Sequence, residues 1–187
     1  DKTIKEMYFL ATDQAALASG YLYIENQYFQ YQEWSERLIQ ARKNVISAWK
    51  SGAAKAGKSK ADMPLMHVFI VIPVPERQQM VPRTYDTLAV LGQQSTMAGQ
   101  SEFINNENKK PDTCVMHDEF GQPISLGRAK PAVVEYANRI DKPSIDALEK
   151  QYGLTVAVSM LQTSGLSYRC MRYREIYIHS KMLLIDD

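Results

Sequence analysis

The segment from Tyr177 to Asp187 reads YIHSKMLLIDD and sets His179, Lys181 and Asp186 in the spacing H-x-K-x-x-x-x-D on an otherwise apolar run. Its composition predicts an extended strand, whose side chains alternate between two faces. Tyr177, His179 and Lys181 then share one face, and Ile176, Ile178 and Ser180 the other. An imidazole beside a fixed ammonium suits phosphodiester chemistry. The imidazole titrates near neutrality and can attack phosphorus or protonate a leaving oxygen, while the cation holds the charged phosphoryl oxygens. A chance match to the pattern in a chain of this length is roughly one in a hundred from average residue usage. A solvated edge face is the competing reading, and the neighbouring Ile176, Ile178, Leu183, Leu184 and Ile185 argue against it.

Working outward, the chain alternates helical and extended patterns. Thr3 and Glu6 read as a capping box for a helix carrying Ile4, Met7, Tyr8, Ala11, Ala15 and Ala18 on one face, with Gly20 as its stop. A strand is predicted at Tyr21 to Phe29, and an amphipathic surface helix at Trp34 to Lys50, with Arg37, Arg42, Lys43 and Lys50 on its solvated side. Leu65 to Val74 (LMHVFIVIPV) is rich in branched apolar residues and reads as a buried strand ended by Pro73 and Pro75. His67 falls on that strand, where a satisfied buried histidine is the expectation.

Thr84 to Met97 follows as a helix, then a polar stretch from Gly99 to Lys130 without sustained periodicity, read as a surface insertion. Helices are predicted at Ala132 to Ile140 and Ile145 to Tyr152, the latter with Ser144 as N-cap and Gly153 as stop. A core strand at Leu154 to Gln162, a polar loop and the motif strand complete the chain. This order predicts an α/β layered sheet with helices on both faces.

The 187 residues carry 22 basic and 21 acidic side chains, so no field gathers nucleic acid nonspecifically. Cys114 and Cys170 match no metal spacing, which argues against a zinc site or disulfide framework, although they could pair with each other. The longest apolar run, Val68 to Val74, is too short to span a bilayer. The chain starts at Asp1 and stops just after the motif, so both ends read as cuts within a longer polypeptide.

Residues Gly52 to Ser59, GAAKAGKS, formally match a phosphate-loop pattern. A working phosphate loop leaves a buried strand and enters a helix. Here a helical pattern precedes the match and a strand follows, so a linker is predicted.

Two sequence marks point to one family. YIHSKMLLIDD carries the signature of the phospholipase D superfamily, and Tyr21 to Phe29 (YLYIENQYF) resembles the segment found upstream of the second H-x-K-x-x-x-x-D motif in eukaryotic-type phospholipases D. The strings ENQYFQYQEW, VFIVIPVPE and MRYREIYIHSKMLLIDD resemble bacterial phospholipase D effectors delivered by type VI secretion.

This resemblance implies a phospholipase D-like fold of two similar α/β halves. Residues 1–187 would be a partial C-terminal lobe, about one half of the enzyme, with an insertion around 99–130. It implies a metal-free and cofactor-free reaction in which one histidine attacks phosphorus and the other protonates the departing alcohol. By carry-over His179 is the second-motif acid and later base, Lys181 binds phosphoryl oxygens, and Asp186 completes the catalytic set, its direction suiting structural support. The implied partners are the half bearing the first motif, phospholipid at a membrane surface, an immunity protein and secretion machinery. The implied location is a target-cell membrane or periplasm.

The first motif is missing here, since His67 and His117 lack the following lysine, and so is the family's Gly-Ser-x-Asn segment with the acid that orients the histidine. A lone imidazole cannot act on both sides of phosphorus, so activity is expected to need the rest of the polypeptide, another subunit or self-association. Phosphatidyl transfer, another phosphodiesterase activity and a noncatalytic half-domain are the alternatives.

Tyr28, Phe29, Tyr31 and Trp34 suit either a lipid boundary or, more readily, a core staple for the next helix. Glu25, Asn26 and Gln27 could position the motif or simply close a strand.

Overall fold

The computed structural model describes residues 2–17, 20–75 and 79–186. Its elements in chain order are α1 (Lys2–Leu17), β1 (Tyr21–Asn26), α2 (Gln32–Ala53), β2 (Met66–Ile72), α3 (Met80–Val90), α4 (Ala98–Lys109), β3 (Thr113–His117) and β4 (Pro123–Gly127). Then follow α5 (Ala132–Arg139), α6 (Ile145–Tyr152), β5 (Leu154–Met160), β6 (Gln162–Ser167), β7 (Cys170–Glu175) and β8 (Lys181–Ile185). The architecture is mixed α/β around a four-stranded sheet of order β5-β2-β1-β8. β5, β2 and β1 are parallel, and β8 runs antiparallel along β1.

Alternation along these strands builds one core. Leu22 and Ile24 of β1, Met66, Val68, Ile70 and Ile72 of β2, and Leu154 and Val156 of β5 are buried on a common face. Helices cover that face with Ala15 and Ala16 of α1, Trp34 and Leu38 of α2, Leu88 of α3 and Leu148 of α6. The opposite face was expected to be covered too, and the structure corrects this. His67 and Phe69 of β2 and Ala157 of β5 are exposed there, Tyr21 and Tyr23 are half-buried, and among the described residues no helix packs over them. The apolar run of β2 misled because a strand with Phe69 and Val71 on its open side reads like one buried twice. His67 accordingly is not a core histidine; its ring stacks on Phe69 at the solvent surface.

α1 begins before Thr3, so Thr3 lies inside the helix rather than capping it, and Ala18 falls outside the described residues. Its buried side chains are Thr12, Ala15 and Ala16, whereas Ile4 and Met7 are exposed. Small residues let the C-terminal half pack closely on α2, where Trp34 Nε1 donates to Thr12 Oγ1 at 2.7 Å. The N-terminal half stands off and leaves a groove. The α6 expectation holds in detail: Ser144 Oγ accepts from Ala147 N at 3.1 Å, and Gly153 ends the helix at φ 57°.

The buried face of α2 runs through Trp34, Leu38, Arg42 and Ile46, leaving Val45 and Trp49 half-buried. Arg42, expected in solvent, is fully buried. Its guanidinium donates to the carbonyls of Ala16 at 2.9 Å, Pro64 at 2.6 Å, Tyr152 at 3.1 Å and Gly153 at 3.1 Å. Those oxygens lie at the ends of α1 and α6 and just before β2, where helix carbonyls lack intrahelical partners. Five fixed donors on a flat group suit this task as no other side chain does. Burial pushes the Arg42 pKa down.

The phosphate-loop look-alike sits where the sequence argument put it, after a helix. Gly57 has φ 65° and Lys58 N donates to Ala53 O at 2.9 Å, a helix-ending turn, and Ser59 with Asp62 caps a short 3-10 helix. The insertion is more ordered than predicted. It forms α4 and the β3–β4 hairpin, with Ile104 joining Tyr85, Ala89, Val134 and Ala137 in a second buried cluster. The polar loop before the motif is a hairpin too, β6–β7, turning at Tyr168 and Arg169 with φ 52° and 63°. Cys114 and Cys170 lie one on each hairpin, exposed and unpaired.

Candidate active site

β1 and β8 meet with Glu25 opposite Met182 and Asn26 opposite Lys181, so the end of β1 faces the start of β8. The approach to β8 is tied to the same sheet end: Leu161 N donates to Ile72 O at 3.3 Å, and Ile176 N to Leu161 O at 3.1 Å. The motif histidine and lysine therefore sit at the carboxyl end of the parallel strands, where open α/β sheets bind ligands.

The motif strand is shorter than predicted. Residues 176–180 are not paired into the sheet, and β8 begins at Lys181. The alternation survives in that lead-in: Ile178 is buried at 4 % while Tyr177 is 59 % exposed, and the Tyr177 and His179 rings stack at 5.8 Å. His179 is exposed, and among the described residues no side chain hydrogen-bonds its imidazole. Lys181 is fixed on two sides, donating from Nζ to His179 O at 2.7 Å and to Gln27 Oε1 at 2.9 Å. The ammonium thus rests on the backbone carbonyl of the histidine.

Gln27 is the residue the sequence reading left undecided. It is 7 % exposed, and its amide nitrogen donates to Tyr177 Oη and, at 3.0 Å, to Tyr28 Oη. One side chain therefore orients the lysine and the aromatic ring stacked on the histidine. Glu25, two residues earlier, receives hydrogen bonds from Ser180 Oγ and from Tyr23 Oη at 2.9 Å. The Ser180 bond, then the Tyr23 bond, hold its carboxyl below the usual range. Through Glu25 and Gln27 the end of β1 holds Tyr177, Ser180 and Lys181 of the motif segment. The signal that could have found this hold was the position of the Glu25-Asn26-Gln27 turn in the family-like segment YLYIENQYF. Asn26 is local, its Oδ1 accepting from Tyr28 N at 3.1 Å.

Asp186 is not brought to this site. It lies five residues along β8 from Lys181, about 17 Å at the usual strand rise. Its Oδ1 accepts from Tyr21 N at 2.6 Å while its own N–H donates to Tyr21 O at 3.1 Å. Gly20 leaves the space for that carboxylate, because a Cβ there would collide with Asp186 Oδ1. The third motif residue buckles β8 onto the start of β1.

No family model and no curated protein matches this chain. Among the described residues no three metal-ligating side chains gather, and no helix is long and apolar enough to cross a membrane. The aromatic cluster divides: Phe29 and Trp34 are buried and pack edge to face, while Tyr28 and Tyr31 stay exposed at 52 % and 36 %.

Proposed function

We propose that this chain is the second-motif half of a phospholipase D-type phosphodiesterase acting on glycerophospholipids. The observation that carries the reading is the Lys181 ammonium held against the His179 backbone O and Gln27 Oε1, with the His179 imidazole exposed, at the carboxyl end of the parallel strands. A cation fixed before the substrate arrives costs no reorganisation when charge develops on the phosphoryl oxygens. The imidazole faces solvent, where a phosphodiester can approach.

In the proposed cycle, the histidine of the other half attacks phosphorus while His179 donates its proton to the departing headgroup oxygen as the P–O bond breaks. His179 then takes a proton from water, whose oxygen attacks the phosphohistidine and releases phosphatidic acid. Asp186 supports the strand without touching substrate. The partner half, the membrane surface as site of action, and an effector role with immunity and secretion partners belong to this proposal and rest on the sequence resemblance.

The test measures release of choline or ethanolamine by the assembly that supplies the other histidine. His179→Ala should abolish release, and Lys181→Ala should lower it about 10²- to 10³-fold, the usual cost of losing one preorganised charge-stabilising donor. Near-normal turnover in either variant removes the proposal.

A further inference from the structure

A cavity of about 180 Å³ lies against the site, between the N-terminal half of α1 and the β1–β8 pair. Its floor is Ile24 and Leu183, its walls are Ile4 and Tyr8 on one side and Tyr28 and Trp34 on the other. The floor residues share a sheet face with Asn26 and Lys181, because residues two apart on a strand point the same way. Leu183 is therefore one pleat, about 7 Å, from Lys181. An occupant of the groove whose end reaches Lys181 has an anionic head and an apolar tail.

Four polar side chains of the lining are already engaged. Tyr28 Oη accepts from Gln27, Tyr31 Oη donates to Glu33, Asn26 Oδ1 accepts from Tyr28 N, and Trp34 Nε1 donates to Thr12. A peptide laid here would find too few partners for its own N–H and C=O groups, which is costly, whereas a hydrocarbon chain asks for none. Lys5 lies over the Tyr31 ring at 4.7 Å, adding a second cation at the rim.

We propose that this groove seats the acyl chain of the phospholipid whose phosphoryl group sits at Lys181. The proposal rests on His179 and Lys181 being the phosphoryl site. At about 30 Å³ for a methylene-sized group, the groove holds on the order of six carbons.

The probes are monomeric alkyl phosphates of increasing chain length, read by Trp34 fluorescence in a Trp49→Phe background, since the chain has 2 tryptophans. Affinity should rise about fourfold per carbon and level off near six carbons. Ile4→Glu, on the exposed groove wall, should flatten that slope, whereas Met7→Glu, on the solvent side of α1, should keep it. Absence of a chain-length slope, or a slope that Ile4→Glu leaves intact, overturns the groove. A slope with no headgroup release from any lipid upholds the groove and removes the phosphodiesterase reading. Headgroup release indifferent to acyl length and to Ile4→Glu removes the groove and keeps that reading.

Discussion

Gln27→Leu isolates the positioning of Lys181 from its charge. Leucine keeps the apolar bulk of a side chain that is 7 % exposed, but it removes the acceptor for Lys181 Nζ at 2.9 Å and the donor to Tyr177 and Tyr28. The lost bond to the ammonium is charge-assisted and worth about 2 kcal/mol, within the usual range of 1.5–3. If that energy serves to hold the cation where phosphoryl charge develops, turnover falls about thirtyfold. Gln27→Glu makes the opposite change. It keeps the shape and acceptor while placing a carboxylate on Lys181, so the fold is retained or strengthened and turnover still drops because the cation is neutralised. Headgroup release measured at saturating lipid, alongside denaturant unfolding of each variant, separates the effects. A folded Gln27→Leu protein within twofold of the parent, or an unimpaired Gln27→Glu protein, would show that Lys181 needs no positioning by this turn.

Asp86 on α3 is 6 % exposed, has an unpartnered Oδ1, and is pushed by burial from 3.8 up to about 6, with Lys142 opposing the shift. The folded pKa lies above the unfolded one, so the native state holds the proton longer and loses up to about 3 kcal/mol as pH rises from about 4 through 6. Asp86→Asn should therefore stabilise the protein at neutral pH and be without effect below about pH 4 in chemical unfolding; a gain that persists in acid contradicts the assignment. Arg42→Met should cost about 3–5 kcal/mol, because it orphans buried carbonyls of three segments at once, and Arg42→Lys should recover only part of it. Gly20→Ala and Asp186→Ala each break the Asp186–Tyr21 N–H link, at about 1–2 kcal/mol apiece, and a double mutant no worse than either single one is the expected result.

The parts of this fold that local chemistry dictates were legible. Ser144 and Gly153 bracket α6 because a hydroxyl caps its first turn and a residue without Cβ accepts φ 57°. β2 was found from its branched apolar run, and strands were also expected where β1 and β5 lie. What failed depended on distant neighbours. Nothing near Arg42 in sequence announces carbonyls at positions 16, 64, 152 and 153, so a helix with four basic residues looked like a solvated face. The open side of the sheet carries Phe69 and Val71, and composition cannot distinguish a half-covered apolar strand from a fully covered one. The β6–β7 hairpin was missed because its strands, QTSGLS and CMRYRE, carry little apolar alternation and turn on Tyr168-Arg169 instead of Asn-Gly. At the candidate site, His179 and Lys181 were singled out from their spacing, while Gln27 needed the strand pairing that sets Asn26 against Lys181.

The bare sheet face and the two projecting hairpins have a calorimetric consequence. A folded monomer of 21.3 kDa normally exposes about 9,100 Å², and this chain exposes 11977 Å². Unfolding then uncovers about one eighth less surface than chain length suggests, and the shortfall is rich in Tyr, Phe, Leu and Met. Heat capacity change and denaturant m-value both scale with newly wetted area. The chain by itself should therefore show a shallower stability curve and a broader denaturant transition than a closed domain of its size, and any partner that covers the sheet should sharpen both.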